Sequence, residues 1–305
     1  MCNSKKCFDL TKKSNPNIDE FDSPRSLTSI VTGEFMSTNV ITVEPSATII
    51  EASHIMLSND VSRVLVVKDH KPLGILTERD LVDFLAEDTS GFTLDAVRVQ
   101  EVMSQPVITI SYDSPVVNAA KIMVDKAISS LVVVSGSGRL RGILTKTDIC
   151  RFYADNVFGV HKVGHYMSEK LITVKPTHSV YYALSVMHEA KVSRVLVFED
   201  WRLVGILTLS DLITLGPLLE SQRKSKDGEY VAVKGFLVPA FDAHLLTVGD
   251  VMTPRPFTVR EDNDLAEAAD LIAKLRIGGL PVTNQRDEPV GITTRTDVTS
   301  AVSKL

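Results

Sequence analysis

Four times along this 305-residue chain a threonine is followed three residues later by an aspartate: Thr77 and Asp80, Thr145 and Asp148, Thr208 and Asp211, Thr294 and Asp297. An aspartate in the first turn of a helix can accept two charge-assisted hydrogen bonds from a vicinal diol. The threonine hydroxyl and the free N–H groups of the same helix start favour a phosphate or hydroxyl nearby. The spacing is equally that of a capping box, which would stabilise a helix with no ligand at all. A cap tolerates Ser, Asn, Glu or Gln, yet all four copies keep Thr and Asp while the residues between them differ. That constancy favours a binding role. Arg63 and Arg194 stand at matching places further upstream, where a guanidinium could bridge phosphate oxygens or simply lie in solvent. Ser62, Ser129, Ser130 and Ser193 occupy the same short segment.

The motif closes a repeat. Each copy opens on a Met, passes through a strand ending in Thr-hydrophobic, an apolar helix and a Val/Leu-rich strand, and ends in G-hydrophobic-hydrophobic-T-x-x-D. From Met to Thr is six residues in every copy: 36 to 42, 103 to 109, 167 to 173, 252 to 258. From that Thr to a helix alanine is ten (Ala52, Ala119, Ala183, Ala268), and from the alanine to the second strand is twelve (Val64, Leu131, Val195, Leu280). The next separation, to the motif glycine, is ten in copies one and three and eleven in copies two and four. Copies one and three also share V-S-R-V-L-V, where copies two and four carry Ser130 and Gly279 in place of the arginine. The order is therefore A-B-A-B, a duplicated pair.

Period and turn signals supply the elements that must position these residues. In copy one Ile49, Ile50, Ala52, Ile55 and Met56 recur at helical spacing, with Thr48 and Glu51 as a capping box. Asp264 and Glu267 repeat that logic in copy four. The polar run Lys68 to Pro72 reads as a hairpin turn between the second and third strands. The predicted unit is βαββα, with the second helix opening at the T-x-x-D motif. A three-stranded sheet with both helices on one face leaves its other face apolar. A unit of this size would bury that face against a second copy. The predicted fold class is α/β (α+β), divided as a polar tail 1–26, repeats at 27–90, 91–158 and 159–220, an insert 221–246, and a fourth repeat 247–305.

These repeats resemble the CBS domain, and each A-B pair resembles a Bateman module; the likeness spans about residues 27 to 305. The resemblance implies clefts on each pair that take AMP, ADP or ATP, and less often S-adenosylmethionine. It places a ribose on Asp80, Asp148, Asp211 and Asp297, and the family's motif hydroxyl on Thr77, Thr145, Thr208 and Thr294. It places phosphates near Arg63 and Arg194, with Ser62, Ser129, Ser130 and Ser193 beside them.

Composition narrows the function. A formal charge of -5 argues against a general nucleic-acid binder, and the basic run Arg223, Lys224, Lys226 reads as a solvated loop. No stretch approaches the length of a membrane span, and the polar N-terminus is no signal peptide. Cys2, Cys7 and Cys150 have no zinc-like spacing and fit a reducing cytoplasm. His161 and His165 read as surface or helix-end residues, and Trp201 as a half-buried turn aromatic. No Walker loop, nucleophile elbow or metal cluster stands out, and neither the tail nor the insert could hold a catalytic domain. The expectation is a cytoplasmic, non-catalytic sensor of adenine nucleotides that needs no cofactor. An S-adenosylmethionine sensor, or a regulator of a partner enzyme, transporter or transcription factor, is the alternative. The two modules are expected to meet within one chain or in a homodimer.

Overall fold

The computed structural model describes residues 26–69, 71–86, 96–213, 230–233, 236–239 and 246–305. Each repeat forms one unit, numbered 1 to 4 along the chain. In unit 1 the strand Thr42–Val43 pairs parallel with Arg63–Lys68, which pairs antiparallel with Lys71–Thr77. Unit 2 repeats this with Thr109–Ser111, Ser130–Val134 and Leu140–Thr145. Thr173–Val174, Arg194–Glu199 and Arg202–Thr208 build unit 3; Val259–Arg260, Gly279–Thr283 and Pro289–Thr294 build unit 4. The first helices are Ile49–Ser58, Val116–Asp125, Val180–Glu189 and Leu265–Lys274. The second helices, Glu78–Ala86, Lys146–Asn156, Leu209–Ile213 and Arg295–Ser303, all start one residue after the motif threonine.

The middle strands bury consecutive residues, as at Val64, Leu65 and Val66, so both sheet faces are covered. Units 1 and 2 are joined by an exchange of their lead segments. Ser37, ahead of unit 1, exchanges backbone hydrogen bonds of 2.9 Å with Ile143 of unit 2; Ser104, ahead of unit 2, does the same with Ile75 of unit 1 at 2.9 and 3.0 Å. Ser168 pairs likewise with Ile292, and Thr253–Pro254 adds a fourth strand to the sheet of unit 3. The repeat's methionine and glycine meet in this exchange. A Cβ on Gly291 would fall 2.7 Å from the Met167 sulfur and 2.9 Å from the Ser168 carbonyl oxygen. Gly74, Gly142 and Gly205 face Met103, Met36 and Met252 in the same way.

The two pairs meet through helices. Helix Lys146–Asn156 of unit 2 packs on Leu265–Lys274 and Arg295–Ser303 of unit 4, and one buried cluster runs through both units, including Phe152, Tyr153, Ala269 and Val302. Units 1 and 3 keep separate cores and touch through Glu78–Ala86 and Leu209–Ile213.

Two local expectations need correction. Thr48 and Glu51 do form the capping box, but Asp264 caps Ala266 while the Glu267 carboxylate accepts from the Asn263 side chain instead. Trp201 is 96% exposed, because Asp200 and Trp201 form the positive-φ tip of a hairpin that projects past its sheet. The insert lies largely outside the described residues; within it, Tyr230–Val233 and Phe236–Pro239 pair as an antiparallel hairpin. The Arg223 to Lys226 run, Cys2, Cys7 and the tail up to residue 25 also lie outside them.

Candidate functional site

The four motif helices start where the third strand of each unit ends. The T-x-x-D sequence forms a capping box in every unit: the threonine N–H and hydroxyl both donate to one aspartate oxygen. These distances are 2.8 and 2.6 Å at Asp80, 2.8 and 2.7 Å at Asp148, and 2.7 and 2.7 Å at both Asp211 and Asp297. The capping reading is thus realised: the cap engages Oδ2, fixes the side-chain rotamer and leaves Oδ1 for other donors. At Asp80, Oδ1 accepts from Ser104 of the partner unit at 2.9 Å. At Asp148 it accepts from Arg151 at 3.2 Å. Asp297 hydrogen-bonds only Thr294 among the described residues.

The arginines of the A-type units do not stand in open solvent; each reaches across to its B-type partner. Arg63 donates to Ser129 of unit 2 at 2.9 Å and to its own neighbour Ser62 at 3.0 Å. Arg194 donates to the Gly278 carbonyl of unit 4, filling space that a side chain on Gly278 or Gly279 would take. Its buried Nε has no hydrogen-bond partner among the described residues. The alternation seen in the repeat has a steric cause: the B copies carry Ser or Gly where the partner's arginine must lie. Ser193 accepts from Arg79 at 2.8 Å, and Ser130 opens its strand opposite Thr145.

The residues between Thr and Asp, left unassigned by the sequence reading, tie the pairs together. Arg295 of unit 4 donates to Thr147 of unit 2 at 2.9 Å, and Lys146 of unit 2 to Thr296 of unit 4 at 3.1 Å. Ser210 of unit 3 donates to Glu78 of unit 1 at 2.9 Å. A signal for them was present: the position after the motif threonine reads Glu, Lys, Leu, Arg, so both B copies place a cation there.

Enclosure gives this centre unusual electrostatics. Burial, then repulsion from Arg295, draws Arg63 and Arg194 down to about 10. Burial also lowers Lys146, which feels Arg63, and lowers Arg295. Burial raises Asp148, Asp297 and Glu78 above the ordinary carboxylate range despite nearby cations. Each group would be easier to keep charged with an opposite charge beside it. Elsewhere, His161 hydrogen-bonds the buried Tyr153 hydroxyl at 2.7 Å, a packing role. Among the described residues no His, Cys, Asp or Glu cluster could hold a metal, and no helix is long and apolar enough to cross a membrane.

Comparison with known proteins fits this geometry. The uncharacterized protein MJ1225 of Methanocaldococcus jannaschii is 25% identical over 85% of this chain and 94% of its own. Its crystal structure superposes with a TM-score of 0.76 at 22% identity, covering 89% of this chain and 99% of that one. The uncharacterized protein MK0525 of Methanopyrus kandleri is 40% identical over 40% of this chain, a match spanning 61% of its own length. CBSX2, a chloroplastic CBS domain-containing protein of Arabidopsis thaliana, is 32% identical over 48% of this chain and 66% of its own. CBS domain models match residues 31–87, 99–155, 163–216 and 248–304, and the chain belongs to the CBS-domain family.

Proposed function

We propose that this chain is a non-catalytic regulatory sensor that binds adenine nucleotides in the clefts between its paired units. The ribose diol sits on Asp80, Asp148, Asp211 or Asp297, beside Thr77, Thr145, Thr208 or Thr294. The phosphates turn toward Arg63 and Arg194, with Lys146 and Arg295 completing the cationic wall, and Ser62, Ser129, Ser130 and Ser193 at its edge. The observation that carries this reading is the enclosed group of cations Arg63, Arg194, Lys146 and Arg295, each held below its ordinary pKa by burial and lying near the motif carboxylates Asp80, Asp148 and Asp297. A phosphate would offset both the mutual repulsion and the desolvation.

The same group discriminates between ligand classes. S-adenosylmethionine carries a sulfonium and an ammonium against one carboxylate, so its entry would add net positive charge to a cationic wall. A nucleotide removes that repulsion. Kinship with CBSX2, a protein known in complex with AMP, is in keeping with the choice. A regulated protein would read the difference between the occupied and empty states. Calorimetry with AMP, ADP, ATP, GMP and S-adenosylmethionine tests the proposal. Binding of the adenine nucleotides without turnover is expected. Binding of S-adenosylmethionine alone, or of none of these at millimolar concentration, would overturn it.

A further inference from the structure

The four clefts use equivalent positions, and the one in unit 4 differs from the rest in its wall, its floor and its carboxylate. The residue before the first-strand threonine is Ile41, Ile108 and Ile172 in units 1 to 3, but Phe257 in unit 4. The isoleucines are half-buried, whereas Phe257 is 63% exposed. A backbone difference explains its position. In units 1 to 3 the carbonyl of that residue accepts from the middle strand, from Leu65, Val132 and Leu196 at 3.0, 3.1 and 2.9 Å. The corresponding residue in unit 4 is Pro281, which has no N–H to give. The chain also enters this strand through Arg255 at φ 49°. Phe257 therefore stands out at the sheet end instead of being laced into it.

Strand register fixes what the ring stands beside. Val259 lies abreast of Val282, which brings Phe257 abreast of Leu280; Leu280 pairs with Thr293, and Gly279 with Thr294. Two strand spacings, about 10 Å, separate the backbone at Phe257 from the Thr294 cap. Between them the floor is Gly278 and Gly279, bare of side chains, with the Arg194 guanidinium lying against it. On the far wall Asp297 keeps an oxygen that no protein group takes among the described residues, whereas Asp80 and Asp148 already accept from Ser104 and Arg151.

We propose that Phe257 is a base-stacking residue that makes the unit-4 cleft a purine subsite, with the ribose on Asp297 and the phosphate toward Arg194. The proposal rests on the nucleotide reading above and adds that the four clefts are unequal. An exposed ring at one end of a groove and a pre-set carboxylate at the other grip a nucleoside at both ends. An isoleucine offers no π-face.

The test compares Phe257→Ile, which installs the residue of the other three units, with Phe257→Tyr, which keeps an aromatic face. The binding step lost in Asp297→Asn identifies this cleft by calorimetry with AMP. At that step Phe257→Ile should weaken AMP about ten-fold, while Phe257→Tyr stays close to the parent chain. The ribose 5′-phosphate of 2-aminopurine, whose emission falls on stacking, should be quenched by the parent and by Phe257→Tyr but not by Phe257→Ile. Because the side chain is exposed, melting temperatures should be equal in all three. Equal AMP affinities and equal quenching in the parent and Phe257→Ile would overturn the stacking role while leaving the sensor reading intact. Absence of any AMP step in the parent would overturn both.

Discussion

At the scale of single residues, the motif aspartates cap their helices, and one substitution can separate that job from the proposed hold on a ribose. Asp297→Asn keeps an acceptor for the Thr294 N–H and hydroxyl, so the helix start stays capped, but it removes the charge a diol would bind. Loss of one charge-assisted interaction should weaken AMP at that cleft about ten- to a hundred-fold, with little loss of stability in the empty protein. The pH dependence has a definite sign. Burial raises Asp297 above the ordinary aspartate range, so the folded chain holds that proton more tightly than the unfolded one. The stability this contributes is complete below the unfolded value and is lost as pH rises through the folded one. Asp297→Asn should therefore flatten the fall in melting temperature above pH ~4, and an unchanged slope would show that burial does not govern this carboxyl. Arg194 makes the opposite case. It is a buried cation with an orphaned Nε, so Arg194→Met should leave the empty protein as stable or more so, as replacement of buried charges often does. The same change should weaken AMP more than adenosine; equal losses would return Arg194 to a packing role. Thr77, Asp80 and their equivalents were legible in the sequence because four registered copies showed what one could not. Lys146, Arg295 and Phe257 were harder to read, since they matter through differences between copies and not through likeness.

At the scale of elements, period and spacing made the βαββα unit readable, and the A-B alternation made the pairing order readable. What the spacing did not reveal is why each copy opens on methionine and carries glycine in its third strand. The structure answers with the lead-segment exchange, in which a partner's methionine and backbone lie where a Cβ would stand. Such contacts join residues far apart in the chain, and no local propensity encodes them. The exchange gives contrasting outcomes at two glycines. A Cβ on Gly74 meets chiefly the flexible end of Met103, with the Ser104 carbonyl at 3.0 Å. Gly74→Ala should cost about 1–3 kcal/mol by overpacking, and Met103→Ala should restore part of that through non-additivity. At Gly142 the nearest obstacle is the Ser37 carbonyl, which belongs to the hydrogen-bonded bridge with Ile143. Gly142→Ala should be as damaging, and Met36→Ala should not rescue it. Urea unfolding of the four single and two double variants decides this. Rescue at both sites would mean that the sulfur alone sets the fit.

At the scale of the whole molecule, the two pairs are held together unevenly. Units 2 and 4 share one apolar core across helices Lys146–Asn156, Leu265–Lys274 and Arg295–Ser303, with Phe152, Tyr153, Ala269 and Val302 fully buried. Units 1 and 3 keep separate cores, and the polar bonds across their seam include Ser210 to Glu78 at 2.9 Å, Arg79 to Ser193 at 2.8 Å, and His188 to Asp83 at 3.4 Å. Hydrogen bonds and ion pairs near the surface hold little free energy, while a continuous apolar core opens only with global unfolding. The molecule is then a clasp, closed on the side of units 2 and 4 and able to loosen on the side of units 1 and 3. A nucleotide whose phosphates reach Arg63 and Arg194 would touch both pairs at once, because these arginines sit within electrostatic reach of Arg295, and Arg194 also of Arg79. Binding should therefore tighten the loose side more than the closed one, which is a coupling free energy between the pairs. Amide hydrogen exchange measures it directly. In the empty protein the amides of Glu78–Ala86 and Leu209–Ile213 should exchange well before those of Lys146–Asn156 and Leu265–Lys274. Saturating AMP should slow the first group by a larger factor than the second. Ala269→Glu, which buries a charge in the shared core, should by contrast unfold units 2 and 4 together, whatever the nucleotide. If AMP protects all four helices equally, the seam between units 1 and 3 is not the element that binding tightens.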